Sequence, residues 1–407
     1  MKDQGLDTQK IRNDFPMSKV EVNGKPLVYF DSAATNQKPQ VVIDRLIELY
    51  TRQYGKTEEN HTFSKLMTSW YEETRSKAAK FLGAKAPEEI IFTKGSTDGI
   101  NIIANGFAKA VLKQGDEIVI SMLEHHSNII PWQLACQLTG AKLLVAPIKD
   151  NSELDMDAFE SLLNDKTRII SLAHSSNVLG TILPVKLICE TAHQRGIPVL
   201  IDGAQAAPHM PVSVQDIGCD FYVFSAHKMG GPAGIGVLYG KAEWLNKLPP
   251  QQGGEGMASK VAFEESTYSP PPKKFEAGTP PFEEIVAFGT LLDYIQEMDF
   301  PKTAAYEQEL LAYATAKLDE IDEILIYGRS PEKEPLVSFS LRNRDVKQLE
   351  KFLNEEYNIA VRAGLLSAQP LMEHLGVDAL LRVAFCYFNT HDEIDLLITA
   401  IKQFLQQ

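Results

Sequence analysis

The stretch "FYVFSAHKMGGPAGIGVLYG", residues 221–240, decides how this chain is read. An apolar run leads into Ser225, His227 and Lys228, a glycine-rich turn follows, and a second apolar run, "GIGVLYG", closes it. Runs that are apolar on both faces belong to strands covered on both sides of a sheet. Working outward, "EEIIFT" (88–93), "DEIVIS" (116–121), "AKLLVAP" (141–147), "TRIISLAH" (167–174) and "IPVLIDG" (197–203) read the same way. Helical patterns lie between several of them, as in "GINIIANGFAKAVLK" (99–113) and "PVKLICETAHQRG" (184–196). This rhythm predicts an α/β fold with a mostly parallel seven-stranded sheet.

The bulk numbers narrow the class. With 407 residues, 44% hydrophobic and 23% charged, the chain is long enough for a large domain and a smaller one. A net charge of -14 argues against nucleic acid or an anionic membrane as main partner. Cys136, Cys189, Cys219 and Cys386 are scattered, so neither a disulfide framework nor a zinc site is expected. The polar opening "MKDQGLDTQK" has no apolar leader core, and no apolar run reaches the length of a membrane helix. A soluble, cytoplasmic chain is expected.

Residues 249–281, rich in Pro and Gly, read as long loops, which in a compact protein are usually functional or at an interface. A long helical region (283–322) follows, then strands near 324–327, 335–341, 358–362 and 380–386 with helices between. We expect a large domain over 15–290 and a smaller α+β C-terminal domain built from 291–407 with 1–14.

Four pieces carry chemistry. Lys228, flanked by hydroxyl and imidazole groups, suits a Schiff base to a phosphorylated aldehyde cofactor, although a lysine beside a tight turn is also an ordinary surface residue. Asp202 ends an apolar strand, where ligands of open α/β sheets bind, and could hold a pyridine nitrogen protonated; a helix N-cap is the plainer alternative. Gln205 could bond the cofactor's phenolic oxygen. Gly95-Ser96-Thr97 opens a helix after a strand and offers backbone N–H groups and hydroxyls to a phosphate; no GxxxxGK[ST] is present. His125 and His126 point different ways and lack a third ligand, so no metal is expected; His125 stacked on a flat ring is the better reading.

These motifs, with "DSAATNQKP" (31–39), "SSNVLGT" (175–181), "FEAGTPP" (275–281) and "RVAFCYFNTHDEID" (382–395), resemble the SufS-type cysteine desulfurases over almost the whole chain. Those belong to the class V aminotransferase family of fold type I pyridoxal 5'-phosphate (PLP) enzymes. The resemblance implies PLP as cofactor, with Lys228 as its Schiff-base lysine and the acid/base at the substrate Cα. It implies Asp202 at the pyridine nitrogen, Gln205 at the phenolic oxygen and His125 stacked on the ring. Thr97, Ser225 and His227 would hold the phosphate, with Ser96 standing where the family usually has threonine. Thr279 would reach the phosphate of a neighbouring subunit, which implies a homodimer. Arg382 would grip the substrate α-carboxylate with a two-pronged contact, and Asn177 and Arg362 would line the substrate pocket.

One departure matters. In "VRAGLLSAQPLM" (361–372), Ser367 falls where the family has its persulfide-forming cysteine, and Leu365 and Leu366 fall on two histidines. Glu58 and Glu59 replace an Arg-Gly pair, while His61 and Thr62 remain. Several departures together read as natural divergence rather than one engineered Cys-to-Ser change. A serine hydroxyl is hard, has a far higher pKa and cannot carry a persulfide. The expectation is therefore C–S cleavage by β-elimination on cysteine or a derivative, the apolar loop suiting a bulky β-substituent. The alternatives are desulfuration with another sulfur acceptor, such as a partner protein, an epimerase or aminotransferase on the same scaffold, or a silent binding partner. Cys386, an even number of residues after Arg382 on an expected strand, could share its face and act as substitute nucleophile, though a buried structural thiol is the commoner role.

Overall fold

The computed structural model describes residues 6–22 and 24–407. Residues 1–5, part of both the leader reading and the segment assigned to the smaller domain, lie outside the described residues, as does residue 23. The seven apolar runs form one sheet: β1 (Ile90–Thr93), β2 (Glu117–Ser121), β3 (Lys142–Ala146), β4 (Thr167–Ala173), β5 (Val199–Asp202), β6 (Phe221–Ser225) and β7 (Gly236–Gly240). Their spatial order is β1-β7-β6-β5-β4-β2-β3. Only β7 runs antiparallel to its neighbours, β1 and β6. β4, β5, β6 and β7 are almost wholly buried, as continuous Val/Ile/Leu/Phe runs require, whereas the edge strand β3 is half exposed.

β1, β2, β4, β5 and β6 point the same way, so their carboxyl ends share one edge. Thr93, Ser121, Ala173, Asp202 and Ser225 end there, and each leads directly into one of the chemistry-bearing motifs. The register seats Ala173 beside Asp202.

A second, antiparallel sheet holds β8 (Ile324–Tyr327), β9 (Leu336–Leu341), β10 (Arg362–Gly364) and β11 (Leu380–Ala384) in the order β8-β9-β11-β10. Leu310, Leu353 and Leu397 from three helices join Phe339, Leu381 and Val383 in its apolar cluster. The strand expected over 358–362 is divided: Ile359–Ala360 pairs with Val28–Tyr29, and β10 pairs with β11. The helical region expected over 283–322 is two helices, Phe282–Glu297 and Phe300–Asp319. Asp299 caps the second, with a proline in its first turn. Within the expected loop 249–281, Ala258–Val261 and Ser266–Tyr268 pair as a short hairpin. No helix among the described residues is long and apolar enough to cross a membrane.

Between β10 and the helix Gln369–Leu375, Leu366 (φ 50°) and Ser367 (φ 56°) both take left-handed backbone conformations, costly for residues with a Cβ. Leu366, Ala368, Leu371 and Met372 join the apolar cluster of the seven-stranded sheet. The loop therefore leaves the small sheet and docks on the large one.

Candidate active site

The shared strand edge and the 361–372 loop enclose a cavity of about 210 Å³. Lys228, Asp202, Gln205, Ser96, Thr97, His125, Ser225, His227, Asn177, Arg362, Arg382 and Ser367 all line it. Only Thr279 of the expected site residues lies elsewhere, in a second hollow with Lys56, Glu58 and Arg75.

At one end is an anion cradle. The helix Ser96–Ala110 starts there behind Gly95, whose φ of 148° excludes most side chains. A Cβ on Gly236 would sit 2.5 Å from Gly95 Cα, so the two backbones touch. Ser96 N donates to Ser225 Oγ at 2.9 Å, and the Ser96 and Ser225 hydroxyls are also 2.9 Å apart. Thr97 Oγ1 lies 2.8 Å from Ser127 Oγ. A helix start with clustered hydroxyls suits a phosphate.

At the other end Asp202 is 7% exposed and accepts from Ala204 N at 3.0 Å. Burial pushes its carboxyl above the usual range, and Lys228 pulls it back. Such a carboxyl gains from a cationic N–H partner, as a protonated pyridine provides. Lys228 follows β6 in a short 3-10 turn. Burial, then Arg382 and Arg362, lower its amine to about 8, against the pull of Asp202. Burial and Lys228 also lower His125 and His227 to about 4, so both rings are neutral at pH 7. His125 Nδ1 is held by Ser127, 2.9 Å away, and His227 Nδ1 faces Thr35 Oγ1 at 3.2 Å. Gln205 Nε2 donates to Ala33 O at 2.8 Å, which fixes its side chain in the cavity wall.

On the small-sheet side, Arg382 on β11 is 2% exposed. Its Nη1 donates to Asn177 O at 2.8 Å and its Nη2 pairs with Asp31 Oδ1 at 3.0 Å, leaving Nε buried without a partner. Each terminal nitrogen carries a second N–H, so these two contacts leave donors for the expected two-pronged grip. Asn177 Nδ2 donates to Leu366 O at 2.8 Å, and its Oδ1 is also unpartnered. Buried polar atoms left open in one cavity are what a polar ligand satisfies.

The loop serine is held from behind. His126 N donates to Ser367 O at 2.8 Å, and Gln369 N donates to His126 Nε2 at 3.0 Å. Of the two leucines, Leu366 lines the cavity and Leu365 is exposed. Of the two readings of Cys386, the structure gives the commoner one, a buried thiol, and corrects the other. β11 ends at Ala384, so the even spacing from Arg382 no longer fixes its direction. It is fully buried, its Sγ accepts from Asn36 Nδ2 at 3.3 Å, and burial pushes its thiol far up. It does not line the cavity, and no cysteine among the described residues does.

Sequence reading missed the roles of Asp31, Ala33 and Ser127. Asp31 and Ala33 sit in "DSAATNQKP", but their partners Arg382 and Gln205 lie far along the chain and leave no local pattern.

A lysine, an acid and an anion cradle at the carboxyl edge of such a sheet define a PLP enzyme. The chain belongs to the class V aminotransferase family: residues 28–397 match the family model described as Aminotransferase class-V. It is 44% identical over 400 residues to a cysteine desulfurase of Synechococcus elongatus, covering 98% of this chain and 64% of that one. The chain spans 58% of a Mycolicibacterium paratuberculosis relative. It superposes on the Escherichia coli cysteine desulfurase CsdA, in its S-sulfonic acid form, with a TM-score of 0.92 at 34% identity over 99% of both chains. Apo cysteine desulfurase from Thermococcus onnurineus gives 0.93 at 31% identity over 100% of both.

Proposed function

We propose that this chain cleaves the C–S bond of cysteine or a cysteine derivative by β-elimination. The observation that carries the reading is the company Lys228 keeps: Ser367 lines its cavity, and no cysteine among the described residues does. In the family this chain resembles, a loop cysteine takes the sulfur; Ser367 occupies that place and cannot carry a persulfide.

PLP, when bound, supplies an electron-poor ring that stabilises negative charge at the substrate Cα. The chain's own groups do the rest. Ser96, Thr97, Ser225 and His227 would hold the phosphate, Asp202 would partner the ring nitrogen, and neutral His125 would stack on the ring. Arg382 would grip the α-carboxylate with a two-pronged contact, with Arg362 as a second cation and Asn177 shaping the wall. Lys228 Nζ removes the Cα proton. The Cβ–S electron pair leaves with sulfur, and water completes the sum: cysteine and water give pyruvate, ammonia and sulfide. Leu366 offers the β-substituent an apolar wall.

Thr279, outside its own cavity, supports a homodimer in which it reaches a neighbour's cofactor phosphate. The relatives are named cysteine desulfurases; a second reading is desulfuration with a thiol from outside, such as a sulfur-acceptor protein.

Ser367→Ala tests the role of the loop. Pyruvate formation within about threefold of the parent is expected, because the hydroxyl transfers no proton; a loss of about 10²-fold or more would make Ser367 a participant. S-substituted cysteines should bind tighter than cysteine, and a lower affinity for them would remove the apolar-wall argument.

A further inference from the structure

The proposed reaction leaves a buried acid behind the cavity unused. Ser175 follows β4, lines the cavity and is 3% exposed, yet its hydroxyl has no partner. Glu334, 2% exposed, comes from the segment entering β9, and its Oε1 has none either. The two side chains face one another without a hydrogen bond of normal geometry.

Their backbones are locked. Glu334 N donates to Gly180 O at 2.8 Å, Thr181 bridges Lys333, and Ser338 Oγ donates to Val178 O. On the cavity side, His174 N donates to Asp202 O at 2.8 Å, so Ser175 stands beside the acid end of the site. Glu334 has charged company on its far side. His209 Nδ1 is 2.9 Å from Glu307 Oε2, and Glu307 Oε1 accepts from Tyr387 N at 3.0 Å. Burial raises the Glu334 carboxyl to about 7, His209 and Ser175 pull it down, and Glu307 pushes it up. Tyr222 also lies within its field, and Lys228 reaches His209 from the cavity.

We propose that Ser175 is a further hydrogen-bonding contact for the oxygen-bearing edge of the cofactor ring, and that Glu334 is the positioning residue that turns its hydroxyl. With Glu334 ionised, Ser175 Oγ–H donates to Oε1 and presents a lone pair to the cavity. With Glu334 protonated, the acid donates to Ser175 Oγ and the serine O–H turns into the cavity. One proton behind the wall thus decides whether the cavity meets a donor or an acceptor. The inference rests on the reading that this cavity binds PLP.

The test is PLP binding to apo-protein by fluorescence titration between pH 6 and 8, with the pH midpoint of the Lys228–cofactor absorbance alongside. Ser175→Ala should weaken binding about fivefold or more, the worth of one hydrogen bond, and Ser175→Thr should restore it. Glu334→Gln should flatten the pH dependence of affinity across that range. Unchanged affinity and spectra in Ser175→Ala and Glu334→Gln, with or without a lower Tm, would make the pair purely structural and overturn the proposal. Should Glu334→Gln not fold, infrared titration of the parent against Ser175→Ala decides: the buried-carboxyl band that shifts on that substitution is that of Glu334, its midpoint in the parent should move on adding PLP, and a fixed midpoint overturns the role of Glu334. If the parent itself fails to bind PLP, the underlying reading falls first, and is seen to.

Discussion

Lys228 concentrates the account at the scale of single residues. An amine lowered to about 8 is half free base at that pH, so the attacking form grows as pH rises through it. The rate at which apo-protein takes up PLP should climb up to about pH 8 and then level. A rate still climbing at pH 10 would mean an ordinary, solvated lysine. Asp202→Asn should keep the fold and lower kcat by about 10²-fold or more, because the amide no longer favours a protonated ring; turnover near parental would remove Asp202 from its role. Lys228, Asp202 and Ser225 were legible in the sequence because each ends or follows an apolar run, and strand ends of parallel sheets face ligands. Asp31 was not, because its partner Arg382 comes from a distant segment and a short polar residue carries no period.

Among the elements, the two tight pieces are the Gly95–Gly236 contact and the 364–369 loop. Gly236→Ala would drive a Cβ to 2.5 Å from Gly95 Cα and 2.7 Å from Phe224 O. It should destabilise by about 1–3 kcal/mol and weaken phosphate binding, read by thermal melts and PLP titration; a parental melt and affinity would contradict the contact. Ser367→Gly should stabilise by about 0.5 kcal/mol, since glycine takes φ 56° without the Cβ penalty and its greater unfolded-state freedom offsets part of that gain. A loss of stability would show the hydroxyl to be holding the loop. The seven strands were readable because buried parallel strands are continuous β-branched runs. The break at Met298–Asp299 was harder to see, since apolar periodicity runs on across it and only Asp299 and Pro301 mark the restart. The hairpin within 249–281 was hidden because its strand residues are largely exposed and polar.

Over the whole molecule, the site is completed by side chains that the small sheet sends across: Arg382 holds Asn177, and Ser338 holds Val178. The proposed division at 290 falls inside the helix Phe282–Glu297, so composition alone marked the change of region without its end. The proposed homodimer has its own test. A Lys228→Ala chain mixed and refolded with a Thr279→Ala chain should recover activity, because one cavity per heterodimer then has both groups intact; no recovery would place Thr279 outside the neighbour's site. The central claim, elimination rather than desulfuration, is tested most directly by the products of the PLP-loaded protein acting on L-cysteine, with and without added thiol. Pyruvate and ammonia in step with sulfide are predicted, with no need for the thiol. Alanine in step with sulfide would contradict the account and show that sulfur leaves this cavity without a cysteine to receive it.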